Sequence, residues 1–252
     1  LTGDPFEVTD DPQIDLIVEL MGGQSTARDI AFRALGHGKH IVTANKALIA
    51  IHGNDIFNVA MEKGLVVAFE AAVAGGISII KVLREGLTGN RIEQVIGIVN
   101  GTTNFILSEM FKKGSSFNQV LAEAQRLGYA ESNPSFDIEG TDAAHKLTIL
   151  SSIAFGIPLD FDCVFVEGIT GINQQDIAYA KEFGYRIKHL GIAKQHKENI
   201  ELRVHPCLIP ADHLLANVNG VMNAILVQGD AVGPTLHYGA GAGAKPTASS
   251  VV

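Results

Sequence analysis

The alternation of apolar runs with helical patterns across residues 14–70 constrains this chain more than any other feature. IDLIVE (14–19) is a short apolar run, and residues 26–35 repeat apolar side chains at helical spacing until Gly36 and Gly38 stop them. Residues 40–42 restart as a strand, a helix is expected around 55–63 with Gly64 ending it, and LVVAFE (65–70) reads as the next buried strand. Strand, helix, strand, helix, strand implies a parallel sheet, because parallel neighbours need a long crossover to bring the chain back to the same edge. Such sheets take ligands beyond the carboxyl ends of their strands, which here means 21–23, 43–46 and the residues from Glu70 onward. The glycine-rich fingerprint that opens a dinucleotide-binding sheet is absent, as is the acidic residue about twenty positions beyond it. With Leu1 rather than Met at the front, the chain is expected to enter this unit part-way through.

After residue 70 the pattern becomes α+β. A helix is expected over 78–87, a strand over 92–99, helices over 102–112 and 117–127, and a strong helix over 141–155. Residues 128–140, rich in Pro, Asn, Ser and Gly, form a loop, and strands resume near Arg186 and Ile200. The fold class is therefore α/β: a partial Rossmann-type parallel sheet followed by a second, α+β domain. The segment GAGAGAKPTASSVV reads as a glycine loop, a proline suited to a first helical turn, and the opening of a helix that is expected to continue.

A net charge of -8 with no Lys/Arg cluster opposes nucleic-acid binding, which needs a basic face. No apolar stretch reaches the roughly 20 residues needed to cross a bilayer. Cys163 and Cys207 lack a CxxC partner and are expected to be small buried thiols in a reducing compartment. The nine histidines show no HExxH spacing, so a transition-metal site is not expected.

The densest polar constellation is ESNPSFDIEGTDAAHK, which sets Glu131, Asp137, Glu139, Asp142 and Lys146 within one loop and helix start. Asp142 and Lys146 are four apart and share a helix face that Ile149 and Ile153 continue, so Lys146 is expected to point into apolar surroundings. A desolvated lysine beside a carboxylate is a candidate proton carrier. The bland alternative is an exposed helical pair worth a few tenths of a kcal/mol. TANKALIA puts Asn45 and Lys46 just beyond a strand end, where the parallel-sheet rule places ligand contacts, although a lysine opening a helix is more often solvated. EAAVAGGISII sets small residues and two glycines after a strand, where backbone carbonyls can converge on a hard cation, or where the chain simply crosses between domains. NGTTNFIL is a strand end leading into a helix that Thr102 or Thr103 is expected to cap; capping accounts for most of it, although Asn100 and Asn104 could also touch substrate or cofactor.

Taken in order, ELMGG, TANKALIA, EAAVAGGISII, NGTTNFIL, LGYAESNPSFDIEGTDAAHK and YGAGAG with the later PTAS resemble homoserine dehydrogenase along almost the whole chain. The resemblance implies NAD(P)-dependent interconversion of L-aspartate 4-semialdehyde and L-homoserine, on the route to threonine, methionine and isoleucine. It implies Lys146 as proton donor and Asp142 as active-site carboxylate, with Lys46 near the nicotinamide and the reacting oxygen. Both lysines stay candidates for the principal acid. Glu131, Asp137 and Asp142 are expected to bind substrate. Gly22, Lys46, Gly128, Gly241 and Gly243 are expected to face NADP or NAD. The backbone of Glu70, Val73, Gly75 and Ile77 is expected to hold Na+. Residues 1–72 would complete the nucleotide-binding domain, 73–238 form the catalytic and dimerisation domain, and 239–252 pack back on the former. A cytoplasmic homo-oligomer, dimer or tetramer, and a regulatory ACT-type domain further along the chain are likewise implied. Competing readings are a Schiff-base lyase or isomerase using Lys46 or Lys146, a catalytically silent metabolite sensor, and another semialdehyde or imine reductase on the same scaffold.

Overall fold

A computed structural model describes residues 1–252. The first unit carries a short helix α1 (Pro5–Asp10), then β1 (Leu16–Glu19), α2 (Ser25–Gly36), β2 (His40–Thr43), α3 (Lys46–Glu62) and β3 (Val67–Ala68). The three strands lie parallel in the order β1-β2-β3, with Val18 opposite Val42 and Val42 opposite Ala68. Ile17 and Ile41 point to the face covered by α2 and α3, where they join Ile30, Leu35, Leu48 and Ile56 in one apolar cluster. Leu16 and Val18, on the opposite face, are exposed.

A turn at Glu70–Ala72 leads to α4 (Ile79–Lys81), a π-helical turn over Val82–Gly86 and β4 (Ile92–Ile98). There follow α5 (Gly101–Lys113), α6 (Phe117–Arg126), α7 (Ser135–Ile138), α8 (Thr141–Phe155), β5 (Phe165–Val166), α9 (Gln174–Glu182), β6 (Tyr185–His196), β7 (Asn199–Pro210), β8 (Met222–Gly229), β9 (Gly233–Ala240) and α10 (Ala244–Val251). The second sheet runs β5-β7-β6-β4-β8-β9, antiparallel except where β5 joins β7. The largest apolar cluster unites the two units, drawing Ile49 from α3, Leu147 from α8, Val95 from β4 and Val204 from β7. Burying a side chain such as Leu147 contributes about 2–3 kcal/mol, so this shared core holds α3 and α8, and the site between them, in fixed relation.

The chain then returns to the junction between the two units. Gly76 donates its backbone N–H to Ala240 (3.0 Å), and the Ser250 hydroxyl of α10 donates to the Gly75 carbonyl (2.6 Å).

Several elements differ from expectation. The buried strand foreseen over 65–70 shrinks to the half-buried Val67–Ala68, because the chain turns at Glu70 and spends that carboxylate on the N–H groups of Ile80 and Lys81, both at 2.9 Å. The helix foreseen around 55–63 begins already at Lys46, where the Asn45 side chain accepts from Leu48 N (3.1 Å) and caps it. The helix foreseen over 78–87 is α-helical for one turn only before widening. Cys163 is exposed rather than buried, its thiol turned to Asp160 (2.9 Å), and Cys207 is half-buried on β7. No helix is long and apolar enough to cross a membrane.

Candidate active site

Lys46 owes its position to a relay of polar contacts across the ends of β1 and β2. Glu19, buried at the end of β1, accepts from Met21 N (2.7 Å) and from the Thr43 hydroxyl (2.6 Å). The Thr43 oxygen accepts from Asn45 N (2.9 Å), and Asn45 Nδ2 donates to the carbonyls of Gly23 (2.7 Å) and Met21 (3.3 Å). These bonds fix the strand-end loop holding Gly22 and start α3 with Lys46 aimed across the cleft between the sheets.

The opposite wall is α8. Gly140 begins it with φ +92, and a Cβ there would stand 2.9 Å from Val166 and 3.2 Å from His189. Only glycine combines that backbone conformation with so close an approach to the sheet. The first turn then places Asp142 and Lys146, both buried, over the end of β4. Lys146 Nζ donates to Asp142 Oδ2 (2.7 Å) and to the Val99 carbonyl (2.6 Å), so its ammonium sits among oxygens and not in the apolar surroundings foreseen from Ile149 and Ile153. The helix row was read correctly, but the side chain runs back towards the N-terminal turn, as helical lysines do. Lys46 Nζ lies 3.1 Å from Asp142 Oδ1 and 5.5 Å from the Phe136 ring centroid.

Asp142 therefore bridges two ammonium groups. Burial alone would raise its pKa, but the charges of Lys146 and Lys46 and the hydrogen bonds from Lys146 and Asn100 outweigh that and hold it at about 2. Asn100 Nδ2 donates to Asp142 Oδ2 (2.8 Å) and to Asp137 Oδ1 (2.7 Å), while its Oδ1 accepts from Thr103 N and caps α5. Burial raises the pKa of Asp137, and the charge on Asp142 adds to the rise. The Thr102 hydroxyl donates to the Tyr129 carbonyl (2.6 Å), tying the 128–137 loop to α5. His145 stacks between Phe136 and Phe161, and burial lowers its pKa.

These groups face one cleft of about 550 Å³. Lys46, Asp142, Lys146, Asp137, Glu131, Gly128, Gly241 and Gly243 all line it, and so do Asn100, which NGTTNFIL offered as a contact that its spacing did not require, and Thr102 and Tyr129, which were not foreseen as site residues. Gly22 stands apart, exposed on the strand-end loop that Asn45 holds. Glu70, Val73, Gly75 and Ile77 lie behind the 241–243 wall, with Ala74 and Gly75 at φ +55 and +43. There the Gly75 carbonyl accepts from Ser250 and the Ile77 carbonyl from Ile79 N (2.7 Å). No three His, Cys, Asp or Glu side chains converge on a point.

A cleft walled by glycine backbone, beyond the carboxyl ends of a parallel sheet and facing lysines paired with a carboxylate, defines a dinucleotide-domain α/β protein with an appended α+β domain. The particular family follows from comparison with known proteins. Residues 79–252 match the family model for homoserine dehydrogenase, and residues 1–70 match that for the homoserine dehydrogenase NAD binding domain. The chain is 64% identical to a homoserine dehydrogenase of Pseudomonas aeruginosa across its whole length, and spans 58% of that relative. It superposes on the crystal structure of a homoserine dehydrogenase from Thiobacillus denitrificans with a TM-score of 0.98 at 64% identity, covering 99% of this chain and 58% of that one. It also matches a hyperthermophilic archaeal homoserine dehydrogenase solved in complex with NADPH, with a TM-score of 0.85 at 29% identity, over 100% of this chain and 73% of that one. The chain belongs to the homoserine dehydrogenase family.

Proposed function

We propose that the protein interconverts L-aspartate 4-semialdehyde and L-homoserine by hydride transfer, with Lys146 and Lys46 managing the charge and the proton on the reacting oxygen. The observation that carries this reading is the Asp142 carboxylate shared between two lysine ammonium groups in a glycine-walled cleft. When bound, the nicotinamide supplies or removes the hydride. Gly128, Gly241 and Gly243 present backbone without side chains to it, and the open space in front of Gly128 suits that role. Gly22 would meet it at the strand-end loop. NADP and NAD are both carried forward.

The chemistry follows from charge. An aldehyde carbon that gains hydride leaves negative charge on its oxygen, which an ammonium stabilises and then protonates. Lys146 has two of its three N–H directions engaged by Asp142 and Val99, leaving one for substrate. Lys46 has a single carboxylate contact and is the more exposed of the two, at 32% against 11%, so it is the group free to follow the oxygen. Glu131, exposed at the cleft rim, together with Asp137 and Asp142, offers carboxylates for the substrate ammonium.

Na+ fits the carbonyls of Glu70, Val73, Gly75 and Ile77: the left-handed pair Ala74 and Gly75 bends the chain sharply, and the Val73 carbonyl accepts no hydrogen bond from within the chain. Assembly into a homo-oligomer through the second domain, and the division at residues 72 and 238, belong to the same proposal. A Schiff base at Lys46 or Lys146 would consume an amine that is paired with Asp142.

The test is nicotinamide absorbance with L-homoserine and either cofactor, using the full-length protein and Lys146→Ala beside it. Loss of about 10²-fold or more in turnover with nucleotide binding retained supports the assignment. Absence of turnover by the unmodified protein with both cofactors sinks it.

A further inference from the structure

Asn223 takes no part in the ion pairs of the cleft, yet it shapes one wall. It sits on β8 opposite Gly239 of β9, 1% exposed, and its Oδ1 is buried with no hydrogen-bond partner. The strand is pinned there, since the neighbouring Met222 carbonyl accepts from Asn104 Nδ2 (3.0 Å). Where the chain leaves β9, Gly241 passes directly over the Asn223 amide. A Cβ on Gly241 would stand 2.0 Å from Nδ2, 2.1 Å from Cγ and 2.6 Å from Oδ1.

The other side of Gly241 is equally close. A Cβ on Gly75 would meet the Gly241 carbonyl oxygen at 2.7 Å and its carbon at 2.8 Å. Gly241 is thus gripped between the Asn223 amide and the Gly75 backbone. Its own φ lies outside the left-handed region, unlike Gly243 at +115 and Gly75 at +43, so space and not backbone conformation requires glycine there. A buried amide oxygen without a donor is costly, and an apolar side chain of similar size would avoid that cost. The amide makes contact instead: its three outer atoms occupy the space that a Cβ on Gly241 would take.

We propose that Asn223 is a positioning residue: its amide sets the depth at which the 241–243 loop stands over the cleft, and so sets nucleotide affinity. This rests on the reading of that loop as a nucleotide-facing wall. Gly241 and Asn223 are then a matched pair, each sized to the other.

The pairing is tested in the full-length protein with Gly241→Ala, Asn223→Ala and the double variant, reading KM and kcat together with NADPH binding by fluorescence. Gly241→Ala is expected to weaken nucleotide binding about 10-fold or more, with a smaller change in kcat, because the added methyl displaces the loop. Asn223→Ala removes the three atoms that collide, so the double variant should return to within about 3-fold of the unmodified protein, a coupling that independent sites do not show. Asn223→Ala alone should weaken binding several-fold, since the loop loses its stop. If Gly241→Ala does not fold, recovery of folded, nucleotide-binding protein in the double variant answers the same question. A double variant no better than Gly241→Ala, or single variants with unaltered nucleotide affinity, overturns the proposal. A protein that binds NADPH with this pattern but does not oxidise homoserine would overturn the assigned reaction and leave the positioning role standing.

Discussion

Replacing Asp142 by Asn keeps the side chain's shape and removes its charge from between two ammonium groups. Asp142 is 3% exposed, with Lys46 at 3.1 Å on one oxygen and Lys146 and Asn100 at 2.7 and 2.8 Å on the other. The fall in its pKa from 3.8 to about 2 corresponds to about 2 kcal/mol of net preference for the ionised form in the folded state. Because the folded value is the lower one, that stabilisation is fully present above the unfolded pKa and disappears as pH falls through about 2, so a measurement at neutral pH sees all of it. Removing one member of a buried pair typically costs ~3–5 kcal/mol. The variant is therefore expected to lose about 2–5 kcal/mol in urea denaturation at neutral pH, the lower bound from the pKa and the upper from stranded charges. The effect on turnover should be larger in proportion: with neither lysine anchored, kcat should fall about 10²-fold or more while nucleotide affinity changes little. A variant within about 3-fold of the unmodified kcat, with an unmoved urea midpoint, would show that Asp142 organises neither lysine and refute the reasoning.

Asn100→Ala should lower turnover and weaken folding by about 1–3 kcal/mol, because Asp137 and Asp142 both lose a donor and α5 loses its cap; kinetics and denaturation read this together. Leu147→Ala, in the core shared by the two units, should cost about 2–5 kcal/mol in denaturant titration, and no loss at all would contradict the packing described. Burial holds His189 at about 4, so the unfolded chain takes up the proton first: stability should fall by about 3 kcal/mol as pH drops from 6.5 to 4, a slope that His189→Asn should flatten. Lys188, buried among the oxygens of Asn104, Val218 and Asn219 and held down at about 8 chiefly by that burial, with Arg186 adding to it, should add about 3 kcal/mol of stability as pH rises from 8 to 10.5. Lys188→Met, denatured across that range, would remove the rise.

Spacing alone put Asp142 and Lys146 on one helix face and Lys46 directly beyond a strand end, patterns that also suit solvated side chains, and it was the family resemblance that singled the three out. Helices α5, α6 and α8 were legible to within a residue or two because helical periodicity is a local signal. Asn100 was legible only as a contact the spacing did not require, and the cap was expected from Thr102 or Thr103 where the Asn100 side chain supplies it; nothing in sequence shows that its second group bridges two carboxylates. Glu19 and Thr43 carried a faint signal, each a polar residue closing an apolar strand, that spacing alone does not turn into a hydrogen bond. The β8–β9 hairpin was missed because MNAILVQG is apolar almost throughout and shows no period of two. Cys163 was misjudged because cysteine's usual burial says nothing about a loop where the thiol turns outward to Asp160. Asn223 was invisible: its partner Gly241 is brought to it only by the turn between β9 and α10.

The return of residues 240–250 onto 75–76 makes the cleft depend on two distant parts of the chain. During synthesis, β1 to β3 leave the ribosome early and can begin to pack as they emerge. The wall formed by 241–243 cannot be built until the whole α+β unit has been made and β9 has paired with β8. A chain interrupted between Lys146 and Gly241 would carry both lysines and the carboxylate yet lack one side of the cleft. A complete cleft is thereby withheld from incomplete protein, and a severed pair of units could rebuild it only by reassembling along this seam.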